Sequence, residues 1–108
     1  MFLVYLSVHI FLFTDRPEII THPKNVTPEE GLLMTLFCNA TGNPPPTLSW
    51  TKDGSPLTNT HGIIFSGDND TLSIAKVNRS ESGNYRCVAR NSLGDDISNT
   101  AKVDVQCK

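Results

Sequence analysis

One stretch constrains this 108-residue chain more than any other: Cys38, Trp50, Tyr85 and Cys87, in that order. Cys38 and Cys87 stand 49 positions apart. That is too far for a local metal knuckle, whose ligands pair within a few residues. It suits a bridge between two packed sheets. Trp50 follows Cys38 at a distance that lets one strand end, a loop turn and a second strand begin. Tyr85 lies two positions before Cys87, so on a strand the two side chains share a face.

The rest of the chain alternates in the same manner. In residues 32–40, Met34, Leu36 and Cys38 take one parity, and Thr35, Phe37 and Asn39 the other. Strands are expected at 47–52 with Leu48 and Trp50 inward, at 63–66, and at 71–75 with Leu72 and Ile74 inward. Two more are expected at 84–91, with Tyr85, Cys87 and Ala89 inward, and at 97–106, with Ala101, Val103 and Val105 inward. Val77 is expected to plug the bottom of the core. Clean alternation predicts antiparallel sheets with one buried face each. Residues 17–27 read as a first strand broken at Pro23, which cannot donate to a ladder and belongs at an edge or a switch point. Turns are signalled by Glu29-Glu30-Gly31, Asp53-Gly54, Gly67-Asp68-Asn69-Asp70 and Gly94. Asn43 to Pro46 reads as a stiff extended loop, and no stretch has a convincing helical period.

The run Glu81-Ser82-Gly83-Asn84-Tyr85-Arg86-Cys87-Val88-Ala89-Arg90-Asn91-Ser92-Leu93-Gly94 resembles the penultimate strand and following turn of an immunoglobulin domain of the intermediate set. That family usually shows Asp-x-Gly-x-Tyr-x-Cys and then Ala-x-Asn-x-x-Gly. The one departure is Glu81, where Asp is usual. Gly42-Asn43-Pro44-Pro45-Pro46, Trp50 and Lys52-Asp53-Gly54 also match. The resemblance covers residues 17–106. It implies an all-β, two-sheet antiparallel Greek-key sandwich with an inter-sheet disulfide between Cys38 and Cys87. It also implies a core signature of Trp50, Tyr85 and Leu72.

Composition narrows the function. A net charge of −2 supplies no basic stripe for nucleic acid. Three histidines, His9, His22 and His61, are scattered, and no spacing pairs one with a nucleophile and an acid. No Cys-x-x-Cys or glycine-rich phosphate loop occurs. The chain is therefore read as no enzyme, with no metal and no cofactor. Three cysteines point to an oxidising compartment. Asn-x-Ser/Thr sequons at Asn25, Asn39, Asn69 and Asn78 point to a glycoprotein. Asn39, Asn69 and Asn78 are the expected acceptors, since Pro28 follows the Asn25 sequon directly. Cys107 lies beyond the sandwich and reads either as a reduced thiol or as a bridge to another chain or domain.

Residues 1–14 are apolar and too short to span a bilayer. They read as a cleaved signal or a misassigned start, outside the core either way. By resemblance, the expected function is extracellular, noncatalytic protein–protein recognition of the adhesion or receptor type. The alternatives are a structural spacer in a matrix or muscle-type array and a secreted decoy. The expected partner is a cell-surface protein, homophilic or heterophilic, with any membrane attachment through other parts of a parent chain. Parity assigns a polar, flat binding face: Thr47, Ser49 and Thr51, then Arg86, Val88 and Arg90, then Thr100, Lys102 and Asp104. Arg86, Arg90 and Lys102 are its expected contacts, because arginine is enriched at interfaces.

Overall fold

The computed structural model describes residues 14–59 and 62–108. Ten strands run in order: β1 (Asp15–Thr21), β2 (Met34–Phe37), β3 (Asn39–Asn43), β4 (Thr47–Lys52), β5 (Ser55–Pro56), β6 (Ile63–Ser66), β7 (Thr71–Ile74), β8 (Gly83–Asn91), β9 (Gly94–Ile97) and β10 (Ala101–Val103). One sheet has the order β10-β8-β4-β5, with β9 also beside β8. A second has the order β2-β7-β6, and β1 pairs with β3. All these strand pairs are antiparallel. The fold is the antiparallel two-sheet sandwich that the alternation predicts.

The sheets pack through one set of side chains. Met34, Leu36, Leu72 and Ile74 from one sheet and Trp50, Tyr85, Ala101 and Val103 from the other are buried. Val77 closes the end of this core. Cys38 and Cys87 are bonded across it, and Trp50 lies opposite Cys87 in the β4–β8 register. The Trp50 Nε1–H donates to the Asn69 carbonyl at 2.8 Å, so burying the indole leaves no polar atom unpaired.

Chain breaks follow from changes of partner. The expected single strand over 32–40 is two pieces. The Cys38 N–H bonds Asp70 O next to β7, and beyond it β3 pairs with β1 instead. β1 begins at Asp15, two residues before the expected Pro17, and leaves its sheet before Pro23. Val26 then makes a parallel bridge to Val103 on the other sheet, as a switch at Pro23 requires. Sequence reading overlooked β5. It is a two-residue edge strand joined to β4 by Asp53-Gly54, with φ of 50 and 85. Positive φ at both positions is the type I′ hairpin geometry.

One short helix, Arg79–Glu81, is a single 3-10 turn, too short to show a helical period in the sequence. Asn78 caps it and the Glu81 carboxylate accepts from the Asn78 N–H at 2.7 Å. Glu81, the family's departure, thus makes its own local bond. The Tyr85 hydroxyl donates to Glu81 O at 2.6 Å, tying the corner that leads into β8.

Candidate functional site

The outer face of β4, β8 and β9 is built in rows set by strand register. Thr47 lies opposite Arg90, which lies opposite Asp95. Ser49 lies opposite Val88, which lies opposite Ile97. Thr51 lies opposite Arg86, whose Nε–H donates to Thr100 Oγ1 at 2.9 Å. Lys102 of β10 pairs with Asn84 and extends the face at one end. All the residues that parity assigned to this face are exposed or half-exposed.

The rows differ in electrostatic state. Arg90 and Asp95 form an ion pair at 3.2 Å, with much of both side chains in solvent. Such a pair contributes roughly 0–1 kcal/mol. Arg86 has no carboxylate within ion-pair distance among the described residues. Arg86 borders a shallow depression of about 420 Å³ lined also by Thr51, Asp53, Asn84 and Thr100. The Asp53 carboxylate there is engaged by the Asn84 N–H at 2.9 Å.

The face is not uniformly polar, which corrects the expectation. Ile97 is 52% exposed and Val88 beside it is half-buried, giving the face an apolar centre. Continued back from Ala101, Val103 and Val105, the parity of residues 97–106 points Ile97 inward. Between the pairs Val88–Ile97 and Tyr85–Ala101, two residues of β8 face three of the other strand, so β9 and β10 are out of phase. This is a bulge. A signal for it was present: strict alternation back from Val105 also buries Asn99 and Asp95, and burying them costs energy.

The expected sugar acceptors lie elsewhere. Asn39 is exposed on β3. Asn78 is exposed, and its Oδ1 accepts from the Ser80 N–H and hydroxyl, both at 2.8 Å. Asn69 sits in the β6–β7 turn at φ 66, with its Nδ2 3.3 Å from Leu48 O. Asn25 accepts from the Lys102 N–H at 2.8 Å. His22 Nδ1 accepts from the Asn99 N–H at 2.9 Å, while His9 and His61 lie outside the described residues. So do all of the apolar leader but Thr14. Cys107 is an exposed thiol. Among the described residues no three His, Cys, Asp or Glu side chains are grouped to hold a metal ion.

Comparison with known proteins places this geometry. The family model for the immunoglobulin domain matches residues 16–91. Bovine neural cell adhesion molecule 1 is 42% identical over 73 residues, covering 66% of this chain and 9% of that protein. Human Roundabout homolog 2 is 38% identical over 98 residues, covering 82% of this chain and 7% of that protein. The chain therefore spans less than a tenth of these relatives' length. Among solved structures, titin domain M7 is 32% identical with a TM-score of 0.79, covering 87% of this chain and 97% of that one.

Proposed function

The chain belongs to the immunoglobulin-domain family, and from that premise we propose that it is an extracellular, noncatalytic recognition module of the adhesion or receptor type. One observation carries the reading. The outer face of β4, β8 and β9 has an apolar centre, Val88 and Ile97, ringed by Thr47, Ser49, Arg86 and the Arg90–Asp95 pair. An apolar centre inside a polar rim rich in arginine is the usual anatomy of a protein interface. The similarity to neural cell adhesion molecule 1 and Roundabout homolog 2 supports the adhesion and receptor classes. The Cys38–Cys87 bond supports an oxidising location.

The partner is a protein surface with an acidic group for Arg86, and Lys102 widens the cationic side. One small face gives weak binding, made useful by repetition on a cell surface. Glycans at Asn39, Asn69 or Asn78 would lie off these strands and leave the face open. Arg86→Glu combined with Arg90→Glu tests the reading on beads that each carry many copies of the full chain. The doubly changed beads are expected to keep folded protein and lose at least tenfold in adhesion to cells or to one another. Undiminished adhesion would remove this face from the account.

A spacer in a modular array is the second reading, favoured by the likeness to titin domain M7. It predicts no adhesion from beads of either protein.

A further inference from the structure

We infer that Ser98 is the positioning residue of this face: its hydroxyl holds the bulge that turns Ile97 outward beside Val88. The inference rests on the reading of that face as the recognition surface. Ser98 is 4% exposed and is the buried polar residue of the described chain. It stands where β9 and β10 fall out of phase. There, Arg86 and Cys87 of β8 face Ser98, Asn99 and Thr100.

An extra residue on one strand removes a ladder carbonyl from its neighbour. The neighbour here is Cys87, in the middle of the sheet and fully buried. Ser98 supplies both missing partners. Its N–H donates to Cys87 O at 2.9 Å, and its Oγ accepts from the Cys87 N–H at 2.9 Å. The hydroxyl proton goes to Asn99 O at 2.9 Å, so every polar atom of the side chain is used. Without Oγ the bulge leaves a buried N–H with no acceptor, which native proteins avoid.

The regular alternative has a ready occupant. Strict alternation from Ala101 turns Ile97 toward the core and Ser98 toward solvent. The face would lose its apolar centre, while Thr100 would stay opposite Arg86 in the β10 register. One buried hydroxyl therefore selects which side chain the face presents. Asn99, the residue beside it, is tied from the other direction by His22.

The test is amide and arginine NMR on the labelled full chain, with Ser98→Ala and Ser98→Thr. Neither readout needs a partner, so the result stands apart from the fate of the recognition reading. Ser98→Ala is expected to speed Cys87 N–H exchange at least tenfold and abolish the Val88–Ile97 contact. The Leu36–Leu72 pairing and the Arg86 Nε–H protection should persist, and Ser98→Thr should keep both the slow Cys87 exchange and the Val88–Ile97 contact. A merely structural role would lower stability without moving Ile97. If Ser98→Ala retains the Val88–Ile97 contact, or Ser98→Thr loses it as Ser98→Ala does, the assignment is overturned. So is it if Ser98→Ala cannot fold, because the hydroxyl would then serve the fold and not the face.

Discussion

Raising the pH isolates the burial of the phenol that ties the corner before β8. Tyr85 is fully buried and its hydroxyl donates to Glu81 O. Burial, aided by the nearby Glu81 and Asp53 carboxylates, pushes its pKa from 10.0 up to about 12. The folded state therefore holds the phenol proton more tightly than the unfolded chain does. The stability that comes from keeping this buried phenol neutral is complete below the unfolded value near pH 10 and is lost as pH rises toward 12. Two units at 1.36 kcal/mol each come to about 3 kcal/mol. Tyr85→Phe has no such proton. It should cost about 1 kcal/mol at neutral pH, because the half-exposed Glu81 carbonyl can turn to water. Urea unfolding followed by circular dichroism, run on both proteins from pH 9 to 12, measures the difference. Other titrating groups are common to both, so the difference belongs to Tyr85. The tyrosine protein is expected to lose about 2–3 kcal/mol more than the phenylalanine one over this range. A stability difference that stays constant across the range would refute the reasoning.

Three further outcomes can be checked on the same footing. Trp50→Ala should cost about 3–5 kcal/mol in urea unfolding, since it empties the centre of the core and leaves Asn69 O without its donor. Reducing the Cys38–Cys87 bond should cost roughly 4 kcal/mol on the chain-entropy view of a loop of 49 residues, and non-reducing peptide mapping should recover Cys38 joined to Cys87 and not to Cys107. Gly54→Ala should cost about 1 kcal/mol by thermal unfolding, from backbone strain alone, because φ is 85 and nothing lies near the added carbon.

The sandwich was legible because each sheet buries one face. Met34, Leu36 and Cys38, or Tyr85, Cys87 and Ala89, could then be read inward from a period of two. The switch at Pro23 was legible because proline lacks a donor. β5 was not, because two residues including Pro56 cannot display alternation, although Asp53-Gly54 announced the turn. The candidate face was half legible. Parity gave Arg86 and Arg90 their direction, since β8 is one unbroken strand of nine residues. Parity does not reach Ile97, because counting back from Val105 carries the phase through a bulge that depends on a side-chain hydroxyl. The partnering of Arg86 with Thr100 and of Arg90 with Asp95 rests on strand register and was beyond the sequence.

The recognition face is tested most directly by charging one sheet and then the other. Ile97 and Ile64 are alike in chemistry and exposure, at 52% and 55%, and stand on opposite sheets. Beads carrying the full chain with Ile97→Asp or Ile64→Asp can be compared for adhesion to cells and to one another, after circular dichroism shows both proteins folded. Ile97→Asp is predicted to reduce adhesion at least tenfold while Ile64→Asp leaves it unchanged. Equal effects, or a loss confined to Ile64→Asp, would contradict the claim that this face is where the module binds.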